Sequence, residues 1–522
     1  MKEYQTKIGK KLIDILMFSI YSDALLIYRE YVQNSFDSII EAVRSGLLKQ
    51  TKDGIVRVDI DCNNSNVTIT DNGTGITKSE AAKRLLNIAD SQKDGENLAG
   101  QYGIGRLVGL KFCKKLIFKT SALGESEYSR VVFDAEEARR IIDDVNDTRD
   151  AIDVIDSIAY VEYGKEVNDK HYFEVFLEGI YPEYSQLLDK DCVTEFLTDV
   201  APIDFNLQFK NLIINNSIKD INDKNNYDSI PFVQLSINGN TDIRKRYGLK
   251  VEGTGDTIYS LDFFDLVDDK YGLLAWGWYA ITPFTKAIPS SDKIRGIRLR
   301  KRNIQIGDET VLKDYFKEDR GNNYFYGEIH LVHKNIRPNT DRTALAPSPE
   351  TEVFKRAFRN KCEELHKLYH LASEAKMALK DVEYGTRIVG SEDNEEEKNI
   401  AKVKISDGKK KVNKLKEKDS SNNAASQKLL QIYDSEINKI ISNQDDNNSS
   451  IIGTIRRTNA AKPEKTIVDI FEPLDGVLSE TEIKFIRKIF MIMSRNCPTS
   501  SKNMLEELKK KTINELSKNE KR

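Results

Sequence analysis

Cysteine is scarce and scattered in this chain of 522 residues: Cys62, Cys113, Cys192, Cys362 and Cys497 stand far apart, with no metal-like pairing. That spacing argues against a zinc site and for a reducing compartment. Long apolar runs are also missing. The longest stretch, around Leu12 to Tyr28, is interrupted by Asp14 and Asp23, which leaves nothing suited to span a bilayer. The start, Met1-Lys2-Glu3-Tyr4-Gln5-Thr6-Lys7, lacks a signal-peptide pattern, so the expectation is a cytoplasmic protein. Neither sign of charge dominates. Lys plus Arg number 80 against 83 Asp plus Glu, and the net charge of −3 gives no global pull toward nucleic acid or membrane. No Gly-Lys-Ser or Gly-Lys-Thr occurs, which excludes a Walker-type phosphate loop, and no histidine precedes His171.

Against those absences stand three segments in the first 105 residues. The stretch Leu25 to Val43 carries apolar residues at helical spacing, so Glu30, Asn34 and Asp37, separated by four and then three residues, project from one face. Glu30 suits a general base that accepts a proton from an attacking water. The side-chain oxygen of Asn34 suits Mg²⁺, which prefers hard oxygen donors. Taken alone, such a polar stripe reads more readily as a solvated helix face. Ile55 to Asp61 and Val67 to Thr70 alternate around a turn at Asn63 to Asn66, the pattern of a β-hairpin. Its second strand runs into Asp71-Asn72-Gly73-Thr74-Gly75. A carboxylate at that strand end can accept a hydrogen bond from an exocyclic amine such as adenine's, and the glycines let backbone approach a flat base. The third segment, Gly100-Gln101-Tyr102-Gly103-Ile104-Gly105-Arg106, precedes an apolar helical run, Leu107 to Cys113, and offers backbone N–H groups to phosphates.

In order and spacing the three segments resemble the conserved boxes of the GHKL ATPases (gyrase, heat-shock chaperone, histidine kinase, MutL). The pattern Arg29-Glu30-x3-Asn34-x2-Asp37, together with Ile76-Thr77-Lys78, Asn87-Ile88-Ala89-Asp90-Ser91 and Gly100 to Gly105, is most similar to the ninety-kilodalton heat-shock chaperones. The resemblance implies ATP and Mg²⁺ as ligands, with Glu30 as general base, Asn34 as Mg²⁺ ligand and Asp71 as adenine reader. It implies further nucleotide contacts from Asp37, Gly73, Gly75, Ile76, Asn87, Ser91, Lys93, Gly100, Gln101, Tyr102, Gly103, Ile104, Gly105 and Arg106. One family position is unmatched, since His171 to Leu177 offers no Gly-Thr, and Arg106 stands where the chaperones carry an aromatic residue.

Further along, Ile294 to Ile306 alternates as one strand with Arg298, Arg300 and Arg302 on it, a pattern expected of a solvated basic face. Tyr324 to His330 leads into Ile336-Arg337-Pro338-Asn339-Thr340-Asp341-Arg342. This resembles the chaperones' segment that holds a γ-phosphate-sensing arginine and makes Arg342 the second catalytic candidate, the alternative being a local pair with Asp341 or Glu350. The expected fold is α+β: an N-terminal α/β sandwich of the Bergerat type over residues 1–185, a transducer domain over 186–377, a charged linker with partial helix over 378–465, and a small helical domain over 466–522. The linker assignment rests on the acidic patch Glu392 to Glu397, the lysines 409–418 and the Asn/Ser-rich pieces.

The function expected from the resemblance is an ATP-driven clamp that dimerises through its N-domains and acts on a protein client or operon partner, in a bacterial stress or antiphage setting. The alternative is a nucleic-acid clamp of the MutL or MORC type, for which the basic 401–418 stretch speaks. A histidine kinase is disfavoured, because no histidine lies ahead of the ATPase segment to accept a phosphate.

Overall fold

The computed structural model describes residues 9–15, 23–87, 105–219, 230–391, 394–418 and 423–442. The expected helical domain at 466–522 lies outside them. Among the described residues no helix is long and apolar enough to cross a membrane.

Helix α1 (Leu26–Arg44) forms where the sequence places it, begun by Asp23, whose carboxylate accepts the Leu25 backbone N–H at 3.0 Å. Its apolar stripe, Ile27, Tyr31, Val32, Phe36 and Ile39, is buried in the larger core. That core also takes in the inner face of a seven-stranded sheet. The hairpin of β1 (Ile55–Asp61) and β2 (Asn66–Asp71) pairs Val56 with Asp71 and Ile60 with Val67. The rest of the sheet is β3 (Cys113–Ser121), β4 (Glu127–Asp134), β5 (Ala159–Lys165), β6 (Tyr172–Ile180) and β7 (Gln234–Ile237), in the order β5-β4-β3-β6-β2-β1-β7. All neighbours are antiparallel except β7, which joins β1 in parallel from beyond residue 185. Helices α2 (Lys78–Leu86), α3 (Ala135–Asp143) and α4 (Ala151–Ile158) bury the apolar residues Leu85, Ile141 and Val154 in the same core. The segment after the third glycine motif is shorter than expected. Gly105–Lys111 is a 3-10 helix, and Cys113 already opens β3.

Helix α5 (Lys190–Val200) leads to a second sheet, in the order β11-β10-β12-β9-β8. Its strands are β8 (Ser260–Asp268), β9 (Gly272–Ile281, with Trp276 and Trp278), β10 (Gly296–Lys301), β11 (Ile304–Ile306) and β12 (Tyr326–Leu331). Two expectations fail here. The stretch Ile294 to Ile306 is not one strand, because Arg302 and Asn303, at φ 50° and 64°, reverse the chain in a two-residue turn. Nor is its basic face solvated. Strand β10 has a neighbour on each edge, and Arg298 and Arg300 are 3% and 2% exposed.

Helix α6 (Pro349–Ser391) continues past Met377, and α7 (Glu395–Lys418) and α8 (Ala424–Ser442) follow it. The charged stretch read as linker is therefore helical over most of its described length. Val382 and Ala401 are buried where α6 and α7 meet, Val412 and Leu415 are buried on α7, and Leu429, Leu430, Tyr433 and Ile437 on α8. Lysines and acids dominate the composition, but an apolar residue recurs about once per turn, which is enough to seat each helix.

Candidate functional site

Asp71 is the third inward position of β2, after Val67 and Ile69, so the two-residue period buries a carboxylate where an apolar side chain would be expected. Its Oδ1 accepts the Gly73 backbone N–H at 2.9 Å, while Oδ2 is buried without a geometric hydrogen-bond partner among the described residues. Burial pushes the Asp71 carboxyl up to about 7, against the opposing pull of the Gly73 N–H and the hydroxyls of Ser35 and Ser38 on α1. An orphaned acceptor at the end of a strand is what an exocyclic amine would satisfy.

The loop after Asp71 is held from three sides. The Ser38 hydroxyl accepts the Thr74 N–H at 3.2 Å, His171 Nδ1 donates to the Gly73 carbonyl at 2.7 Å, and Thr120 Oγ1 accepts the Ile76 N–H at 2.8 Å. Gly75, at φ +63°, passes so close to the end of β3 that a Cβ would lie 1.9 Å from the Ser121 carbonyl oxygen. Only glycine meets both demands. His171 and Thr120 thus steady the loop near the unmatched threonine position, a role that sequence reading missed because neither lies in a motif.

On α1, Glu30 and Asp37 are buried at 7% and 2% exposure, and Asn34 between them is half-buried. Glu30 Oε1 accepts no hydrogen bond among the described residues. Two guanidiniums flank it instead, Arg29 Nη2 at 3.7 Å and Arg342 Nε at 3.5 Å. Arg342 reaches it from a loop closed by the Pro338–Leu345 bridge, at φ 56°, with its backbone N–H on the Asn339 carbonyl and its carbonyl accepting from Gly307 at 2.8 Å. Arg29 Nη2 in turn donates to the Asp341 carbonyl at 2.8 Å, across 312 residues of chain. The local acids are otherwise engaged: Asp341 caps Thr343, and Glu350 accepts from Asn335.

A third arginine, expected to be solvated, completes the cluster: Arg302 Nη1 lies 3.7 Å from Asp37 Oδ1. Burial lowers its pKa and Asp37 partly restores it. The turn that presents Arg302 is pinned from beneath. Lys245 Nζ donates to Asn303 Oδ1 at 2.6 Å, Arg300 Nη1 to the Asn303 carbonyl at 2.9 Å, and Asn303 Nδ2 to the carbonyls of Ile203 and Pro231. Lys245 and Arg300 converge on Glu328 of β12, at 2.8 and 2.7 Å, with His330 Nε2 at 3.1 Å. Burial alone would raise the Glu328 carboxyl, but Arg300 and Lys245 outweigh it and hold it ionised.

Asn87 and Arg106 are also joined, the Arg106 guanidinium donating to the Asn87 carbonyl, while the Arg106 carbonyl accepts from Tyr31 at 2.9 Å. Arg106 therefore ties the end of α2 to the start of the 3-10 helix. Gly105 opens that helix. Ser91, Lys93, Gly100, Gln101, Tyr102, Gly103 and Ile104 lie outside the described residues. The donor set suits a hard divalent cation: the Asn34 amide oxygen stands on one helix face with two carboxylates, and no sulfur or imidazole is among them.

An antiparallel sheet, a helix carrying a buried glutamate, and a strand-end aspartate with a spare acceptor describe a nucleotide-binding ATPase domain. Residues 24–161 match the family described as "Histidine kinase-, DNA gyrase B-, and HSP90-like ATPase". Over this segment the likeness to GHKL ATPases read from the three boxes is confirmed. Among curated relatives, the chain is similar to the chaperone protein HtpG of Bacillus velezensis, 31% identical over 134 residues, covering 23% of this chain and 21% of that protein. The HtpG of Francisella tularensis subsp. novicida is 29% identical over 153 residues, covering 26% and 24%. That of Bacillus licheniformis is 32% identical over 134 residues, covering 23% and 21%. The chain thus spans less than a quarter of the length of these relatives.

Proposed function

We propose that this chain is a Mg²⁺-dependent ATP hydrolase that works as an ATP-driven clamp resembling the chaperones, dimerising through its N-domains to act on a protein partner. The observation that carries the reading is the meeting of Glu30 with Arg342 at 3.5 Å, a buried carboxylate and a guanidinium that stand far apart in the sequence.

In this reading the Asp71 carboxylate orients the adenine through its amine, and the backbone of Gly73 and Gly75 lies against the base. The Asn34 amide oxygen would hold Mg²⁺, which supplies charge neutralisation of the β- and γ-phosphates when bound. Glu30 Oε1 takes the proton of the attacking water. Arg342 neutralises charge that develops on the γ-phosphoryl oxygens. In the structure Arg342 and Arg29 both face Glu30 Oε1, the oxygen that has to take the proton of the attacking water. The pairing must loosen for turnover, which couples hydrolysis to movement of the Arg342 loop relative to α1.

Steady-state turnover and nucleotide binding test this separately. Glu30→Ala is expected to lose about 10²–10⁴-fold in turnover while still binding ATP, and Arg342→Ala about 10³-fold. Unchanged hydrolysis in Glu30→Ala overturns the mechanism. The MutL or MORC reading keeps one observation in its favour: Lys409, Lys410, Lys414 and Lys416 of α7 are all exposed. Stimulation of turnover by duplex DNA would establish it, and the protein clamp predicts none.

A further inference from the structure

Far along the chain from the nucleotide site, His366 and His370 stand one turn apart on α6, their rings 4.3 Å centroid to centroid. Glu318 approaches them from the loop between β11 and β12, with Oε1 3.5 Å from His370 Nε2. One donor atom from each of the three lies within 4.8 Å of the other two. We propose that Glu318, His366 and His370 form a binding site for a borderline transition-metal ion of the Zn²⁺ class, which fastens the 316–324 loop to α6.

Two imidazoles and one carboxylate are a recurrent donor set for such ions, and about 3.4 Å between donors is the spacing tetrahedral zinc requires. The His370–Glu318 pair already has it. The three donor atoms lie within 4.8 Å of one another, so His366 needs only a small side-chain adjustment to join them. The outer contacts are those expected around metal ligands. Glu318 Oε2, the oxygen turned from the histidines, accepts from Arg320 Nε at 3.0 Å, which orients the carboxylate. His366 Nδ1 lies 2.6 Å from the Tyr369 hydroxyl; with Nδ1 protonated and donating, Nε2 keeps its lone pair for a metal.

Arg320 and Lys317 bring positive charge close by, so the affinity expected is micromolar rather than that of a closed structural zinc site. The loop is already docked on α6 by the stacked rings of Tyr324 and Tyr369, 4.5 Å apart, so the metal reinforces an existing contact and does not have to create one. Mg²⁺, which the nucleotide site is proposed to use, is a poor competitor for imidazole nitrogen.

The test is calorimetric titration of the full chain, stripped with EDTA and dialysed, with ZnCl2, and titration with CoCl2 read by visible absorption. One equivalent of Zn²⁺ at micromolar affinity and a tetrahedral Co²⁺ spectrum are expected. His370→Ala and Glu318→Gln should each weaken binding at least tenfold without shifting the metal-free Tm, and Zn²⁺ should raise the Tm of the wild type alone. Cys62→Ser and Cys192→Ser, which remove the exposed thiols among the described residues, and Cys497→Ser should leave the titration unchanged. No Zn²⁺ binding by the wild type, or equal binding by His370→Ala, overturns the proposal. So does loss of the equivalent in the cysteine variants.

Discussion

Asp71 shows at the scale of one residue how a binding requirement works against stability. Its folded-state carboxyl holds a proton up to about 7, whereas the ordinary aspartate value is 3.8. Between those values the native state binds more protons than the unfolded one, so the favourable contribution is complete below about pH 4 and is lost as pH rises through about 7. At about 1.4 kcal/mol per pKa unit, the ionised group costs the nucleotide-free protein on the order of 4 kcal/mol above pH 7. Asp71→Asn should therefore match the wild type in urea denaturation near pH 4 and exceed it by up to that amount at pH 8. It should also lose the Tm increase that ATP gives the wild type, because the amide cannot present the same acceptor to adenine. A constant difference across pH would count against this account.

Arg302 belongs to the same scale. Its neighbours in sequence are basic and alternate, which reads as a solvated face, and only the reversal at Asn303 turns it toward Asp37. Arg302→Ala should lower ATP turnover by about tenfold, with a smaller effect on nucleotide binding, since it removes the half-buried counter-charge of Asp37, which shares a helix face with the proposed Mg²⁺ ligand Asn34. Single-turnover kinetics would separate the two effects.

At the scale of elements, the α6–α7 pair depends on two glycines. A Cβ at Gly385 would lie 2.6 Å from the Ala401 carbonyl oxygen, and one at Gly408 2.8 Å from that of Ala378. In an isolated helix Gly→Ala stabilises by about 1 kcal/mol. Here the added methyl meets backbone that cannot rotate away, and forcing the helices apart costs about 1–3 kcal/mol. The steric cost wins, so Gly385→Ala and Gly408→Ala should each lower the Tm, whereas alanine at the exposed Asn413 of α7 should not. Hydrogen exchange on α7 would show whether the loss is local.

The largest-scale device is the charge network around Glu328, which joins segments distant in sequence: Asp199 to Ile203, Lys245, the β10–β11 turn and β12. Lys245, Arg300 and Glu328 are all buried, so removing Glu328 takes away the acid in contact with both cations and leaves them only the weaker pull of Asp204 and Asp199. Glu328→Gln should cost about 3–5 kcal/mol in chemical denaturation, and Lys245→Met in the same background should recover part of it. Because the network also holds the Arg302 turn, the single variant should lose turnover even under conditions where it remains folded. Full activity in a folded Glu328→Gln would show that the turn stands without it.

Local periodicity determined a good deal of this protein by itself. The helix carrying Glu30, Asn34 and Asp37, the β1–β2 hairpin and the strand-end position of Asp71 all follow from side-chain spacing within about twenty residues, a range over which the backbone's own geometry sets direction, whereas the close approach of Gly75 to Ser121 does not. Arg342 was legible only through its likeness to a family segment. The tertiary structure alone decided the rest. Whether β10 is a surface or a core strand depends on β11 and β12 flanking it; whether Arg302 faces solvent or Asp37 depends on the buried charges beneath its turn. The seventh strand joins the first sheet because β1 had a free edge to offer. The charged α7 seats on α6 because glycine and small residues of the two helices stand at matching height. Each of these is a contact between segments far apart in sequence, and no pattern within either segment encodes its partner.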